Sequence, residues 1–93
     1  MTLTFHEDAG HGWLEVPMTE IRKLNISHII SRYSYLKNGI AYLEEDCDAQ
    51  KFIQAFEKTG DRVEIQTIRE RNESPIRNYP RFLTSDIAGG LLI

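Results

Sequence analysis

The sequence is poor in cysteine, proline and long apolar runs, with one cysteine and three prolines in 93 residues. A single cysteine excludes an internal disulfide and fits a reducing cytoplasm. Six glycines and three prolines exclude a collagenous or low-complexity chain. No apolar stretch approaches the roughly 20 residues that span a bilayer. Residues 1–8 have no basic region followed by an apolar one, so no signal peptide is expected. A basic excess is also missing. The formal net charge is −3, from 11 basic and 14 acidic residues, whereas a general nucleic-acid binder needs cations to neutralise phosphates.

What is present is ordinary globular composition, 41% hydrophobic and 27% charged. A chain of this size buries about 60–65% of its unfolded surface and holds one modest core. One α+β domain is expected over residues 1–83, with a loose tail over 84–93. Charge is unevenly spread. Residues 62–93 hold five arginines, of which Arg69, Arg71, Arg77 and Arg81 offer a local basic stripe for nucleic acid. Glu70 and Glu73 interrupt it, so a mixed solvated surface is the simpler reading.

Hydrophobic periodicity supplies the elements. Leu3 and Phe5 alternate with Thr2, Thr4 and His6, as in a half-buried strand. Asp8-Ala9-Gly10-His11-Gly12 reads as a hairpin loop, followed by a strand over Trp13–Val16 that Pro17 ends. Thr19 is the expected cap of a short helix carrying Ile21 and Leu24, with Asn25 as its stop. The strongest local mark is Asn38-Gly39 between two alternating runs, which predicts a type I′ hairpin. Its register pairs Lys37 with Ile40, Leu36 with Ala41 and Tyr35 with Tyr42. That places Tyr33, Tyr35, Ile40 and Tyr42 on one face, and Leu36, Ala41 and Leu43 on the other. Asp46 or Asp48 is the expected cap of a helix whose apolar stripe is Ala49, Phe52, Ile53 and Phe56, ended by Gly60. A further strand is expected over Arg62–Arg71, with Ile68 out of phase as at a bulge. The order is ββαββαβ, a mainly antiparallel sheet with two helices on one face.

Three groups of residues can carry chemistry. His6, Asp8 and His11 flank one loop, and two imidazoles with a carboxylate suit a divalent metal such as zinc, with Trp13 walling a small-ligand site. The competing reading is a polar turn in which Asp8 bonds local backbone. Glu44, Glu45, Asp46 and Asp48 put four acids in five residues, either for a hard cation or as a solvated strand end and helix cap. Cys47 lies between acids that oppose a thiolate, which makes it structural. Trp13, Tyr33, Tyr35 and Tyr42 form either an exposed contact surface or core beneath the second helix.

The stretches Phe5–Val16, Ser31–Tyr35 and Tyr42–Asp48 resemble a family of small proteins from phages, plasmids and bacterial genomes. The resemblance covers about residues 5–56, is weaker over 75–82, and carries no site residues over. It implies a mobile-element setting. By analogy, small acidic proteins of such elements act as inhibitors that occlude a host protein, including defence components. The leading expectation is therefore a cytoplasmic, non-enzymatic binding protein without cofactor, whose contact residues are Trp13, Tyr33, Tyr35, Tyr42, Glu44, Glu45 and Asp48. The alternatives are a ligand or metal site at His6, Asp8 and His11, and nucleic-acid contact through the arginines.

Overall fold

Alternation over the first residues produces strand β1, Thr2–Glu7, which turns back into β2, Gly12–Pro17. The two pair antiparallel, with Thr4 opposite Glu15 and His6 opposite Trp13. The structure, a computed structural model, describes residues 1–83; the tail expected over 84–93 lies outside the described residues. Helix α1, Met18–Lys23, begins at Met18 rather than after a Thr19 cap. The reason is that the Met18 N–H donates to the Gly39 carbonyl at 2.9 Å, so tertiary contact replaces a side-chain cap. Asn25, with φ of +56°, stops the helix as expected.

The Asn-Gly hairpin forms in its expected register. Strands β3, Tyr35–Lys37, and β4, Ile40–Glu44, pair Tyr35 with Tyr42, Leu36 with Ala41 and Lys37 with Ile40. Asn38 and Gly39 take the required positive φ, +52° and +77°. Tyr33 is not part of the strand; it stands before it, 62% exposed. Helix α2, Ala49–Glu57, follows with Asp48 at its N-cap position, yet the Asp48 side chain makes no capping bond. Strand β5, Glu64–Arg69, then runs parallel to β1, from Thr2 opposite Glu64 to Glu7 opposite Arg69. That register is unbroken, so there is no bulge at Ile68, which sits beside His6. The sheet order is β3-β4-β2-β1-β5.

This is an α+β domain in which the two sheet faces are covered differently. On one face Leu14, Val16, Ala41 and Leu43 meet Met18 and Ile21 of α1 and Ala49 and Phe52 of α2. Each fully buried Leu, Ile or Phe there contributes about 1.5–3 kcal/mol by leaving water. On the other face Trp13, Tyr35 and Tyr42 pack against Ile76 and Tyr79. Those two come from the C-terminal segment, where Pro75–Asn78 forms a 3₁₀ turn capped by Ser74. The tyrosine face is thus covered by the C-terminal segment and not by α2. Among the described residues no helix is long and apolar enough to cross a membrane.

Candidate functional site

The C-terminal segment covers the second face incompletely and leaves a cavity of about 480 Å³. Its walls come from β2 (Trp13), β3 (Tyr35), the end of β4 (Glu44), the turn before α2 (Asp46, Cys47) and the C-terminal segment (Arg77, Arg81), with His11 and Tyr33 at the loops. Alternation along β2 and β4 explains this gathering: Trp13 lies opposite Glu44 and Glu15 opposite Tyr42, all pointing away from the helices. The site therefore brings together Trp13, Tyr33, Tyr35 and Glu44 from the expected contact residues, and His11 from the expected ligand site.

Arg77 is fixed by Asp8. The Asp8 carboxylate accepts Arg77 Nε and Nη2, both at 2.7 Å, the Ser74 N–H at 2.9 Å, and the Gly10 and His11 N–H groups at 3.0 Å. The Arg77 guanidinium foremost, with the backbone donors, holds the Asp8 carboxyl far below the usual range. The same bond raises the Arg77 pKa. Held this way, the guanidinium lies 5.6 Å from the centre of the Trp13 ring. Arg81 lies 4.7 Å from the centre of the Tyr35 ring. Both are cation–π distances. Arg77 is committed to a carboxylate; among the described residues the Arg81 side chain makes only a long hydrogen bond, 3.4 Å, to the Arg32 carbonyl.

Trp13 is the centre of the site. It is 2% exposed, its ring meets His11 at 6.0 Å and Tyr35 edge-on at 6.2 Å, and its indole N–H finds no acceptor among the described residues. A buried donor without a partner costs about 1–3 kcal/mol.

The acidic residues divide into two kinds. Glu44 is buried and accepts the Asp46 and Cys47 N–H groups at 3.0 and 2.9 Å, tightening the turn into α2. Asp48 is fully buried and accepts the Ser31 N–H, both the Ser31 and Ser34 hydroxyls, and Lys51 Nζ at 2.9 Å. Burial pushes its carboxyl up, but the two serines and Lys51 outweigh this and leave it below the usual range. Asp48 and Glu44 are therefore internal ties and not parts of an acidic surface. Glu45 and Asp46 remain exposed, with partial burial and the charges of Asp46, Glu44 and Glu7 raising the Glu45 carboxyl. Burial first, and then Glu44 and Asp48, raise the Cys47 thiol, so it stays protonated near neutral pH.

The residues proposed for a metal are not brought together. His6 Nε2 lies 2.7 Å from Glu15 Oε1, Asp8 is taken by Arg77 and the backbone, and His11 turns toward Trp13. Among the described residues no group of three or more His, Cys, Asp or Glu side chains is placed to hold a metal ion. Of the four arginines, Arg69 bonds Glu7 at 3.0 Å and Arg77 bonds Asp8. Tyr42 lines no wall of the cavity; it packs edge-on against Tyr79, ring centres 5.1 Å apart.

Sequence reasoning overlooked Arg77 and Arg81 as partners of the aromatic residues. The available signal was Ser74-Pro75, a cap and first-turn pair that marks an ordered turn before Arg77. Comparison with protein-family models, curated proteins and solved structures finds no match to this chain.

Proposed function

We propose that this chain is a non-enzymatic binding protein of a mobile genetic element, and that it occupies a host protein's surface through the cavity on the second sheet face. The observation that carries this reading is a cavity walled by Trp13, Tyr33, Tyr35 and Arg81, with the Arg81 guanidinium 4.7 Å from the centre of the Tyr35 ring. Trp, Tyr and Arg are the side chains that most often carry the binding energy at the centre of a protein interface. Exposed Tyr33 beside Arg81 supplies the amphipathic contact area typical of interface centres. The exposed carboxylates of Glu45 and Asp46 favour approach by a basic target and make association salt-sensitive. The raised Cys47 thiol is consistent with binding and not thiolate chemistry.

The test is a photoreactive aromatic residue at Tyr33, introduced in host cells, with crosslinked proteins identified by mass spectrometry. One dominant host protein is expected, lost on Trp13→Phe and on Arg81→Glu. Trp13→Phe reshapes the aromatic wall of the cavity while keeping a ring, and relief of the buried donor offsets lost packing to within about 1 kcal/mol. A crosslink indifferent to both changes would remove the reading.

The cavity volume favours one second reading. About 480 Å³ lies within the range of roughly 300–1,000 Å³ typical of small-ligand sites. Native mass spectrometry of protein purified without chelator separates the two. A retained small mass that Trp13→Phe abolishes assigns the cavity to a small molecule.

A further inference from the structure

The two edges of the sheet are treated differently. At the β3 edge the C-terminal segment lies alongside: the Leu36 N–H donates to the Pro80 carbonyl at 2.9 Å, the Phe82 N–H to the Ser34 carbonyl at 2.9 Å, and Tyr35 bridges Arg81. At the other edge stands β5, which among the described residues pairs only with β1. All six of its residues are exposed, including Ile65 at 47% and Ile68 at 46%. Natural edges are usually blunted by charged side chains, a proline, a bulge or a covering segment, and the charges of β5 stand only at its two ends, Glu64 and Arg69. Strand β5 has no proline, its register is unbroken, and nothing covers it among the described residues.

Hydrogen-bond parity fixes what this edge can accept. The Glu64 N–H donates to the Met1 carbonyl and the Glu70 N–H to the Glu7 carbonyl, so even-numbered residues point their backbone groups at β1. Ile65, Thr67 and Arg69 therefore point theirs outward, away from the sheet. We infer that β5 is the dimerisation edge of this protein, pairing antiparallel with β5 of a second copy to form a continuous two-fold sheet.

Symmetry and charge select the register. A two-fold axis perpendicular to a sheet keeps each face on itself, so the axis must pass through a residue opposite its own copy. Registers centred on Ile65 or Ile68 pair no more than half of the strand. Two remain, centred on Gln66 or Thr67. Centring on Thr67 sets Glu64 against Glu70 of the partner subunit, and like charges directly opposite are destabilising. Centring on Gln66 sets Arg62 against Glu70 of the partner subunit, twice by symmetry, and Ile65 against Thr67 of the partner subunit within the hydrogen-bonded ladder. Arg62 is exposed, and Glu70 lies at the same end of β5 as Arg69. The second register is the complementary one. The cavity, walled by β2, β3 and β4, lies toward the opposite edge, so each dimer would present two open sites.

Sedimentation equilibrium of the full chain over a range of concentrations tests this directly. A monomer–dimer equilibrium is expected. Thr67→Pro removes an outward N–H while leaving the β1 ladder intact, and it should give a monomer with unchanged circular dichroism. Arg62→Glu alone and Glu70→Arg alone should each weaken dimerisation by about tenfold, and the two together should restore it. A wild-type chain that is monomeric throughout, leaving this edge to residues 84–93 or to another protein's strand, would overturn the inference. So would a dimer that persists in Thr67→Pro or ignores both single charge reversals.

Discussion

Asp8 and Arg77 stand 69 positions apart in the chain and meet through two bonds of 2.7 Å. That one pair closes the β1–β2 loop against the C-terminal segment and sets the Arg77 guanidinium over Trp13. It is the link between the fold and the cavity.

Breaking the pair should release the segment before it unfolds the sheet. Asp8→Asn and Arg77→Leu are each expected to lower the melting temperature by several degrees. Both should also raise amide exchange at Ile76 and Tyr79, while the β1–β2 and β3–β4 ladders stay protected. Exchange followed by mass spectrometry or NMR reads the difference. Uniform loss of protection would show that the segment and the sheet unfold as one unit.

Asp48 ties the loop before β3 to the start of α2 through Ser31, Ser34 and Lys51. Its removal leaves buried hydroxyls and an amide without partners, so Asp48→Ala should cost about 2–4 kcal/mol in urea denaturation. Ser34→Ala should cost about 1–2 kcal/mol, and the double variant less than the sum. Additive costs would mean that the two residues do not act through one network.

Acid should destabilise the fold through the same two aspartates. Both carboxyls titrate lower in the folded chain than the value near 4 expected when unfolded. Below that value the unfolded chain binds more protons than the native one. The stability these groups provide is thus complete above about pH 5 and is lost as pH falls through the folded pKa values. Glu45 has the opposite sign: its raised carboxyl favours the folded state as it takes up a proton. Urea midpoints measured from pH 7 to pH 2 should hold nearly level and then fall below about pH 4. Asp48→Asn should flatten that fall.

Gly12 provides a packing test. A Cβ there would collide with the end of the Phe5 ring and come within 3.1 Å of the Glu45 carboxylate. Phe5 packs against the main core, so it can retreat only at a cost. Gly12→Ala should destabilise by about 1–3 kcal/mol, and Phe5→Leu in the same chain should recover part of it. No recovery would place the strain elsewhere.

Much of the architecture is legible in local patterns. The Asn38-Gly39 turn carries its own φ requirement, so the β3–β4 register follows from two residues. The Ala49, Phe52 and Phe56 stripe likewise announces α2. The parallel pairing of β5 with β1 is different: its residues are exposed on both faces, and no alternation distinguishes a parallel neighbour from an antiparallel one. The cavity was half legible. Trp13, Tyr33 and Tyr35 stand out as aromatic residues in excess of a small core, but Arg77 and Arg81 join them only because Asp8 reaches across the chain. The acids misled for a physical reason: four adjacent carboxylates look solvated, whereas nearby serine hydroxyls and turn amides draw Asp48 and Glu44 inward.

The placement of β1 also has a consequence for synthesis on the ribosome. Strand β1 is flanked by β2, which follows at once, and by β5, whose Glu64 pairs with Thr2 across 62 positions. At about 5–20 residues per second, the nascent chain waits several seconds with one side of β1 open. The local hairpins have ample time to form in that interval, since such turns close in microseconds. Completion of the sheet is therefore a late, vectorial event, and a chain halted before Glu64 would emerge with β1 still unpaired on one side.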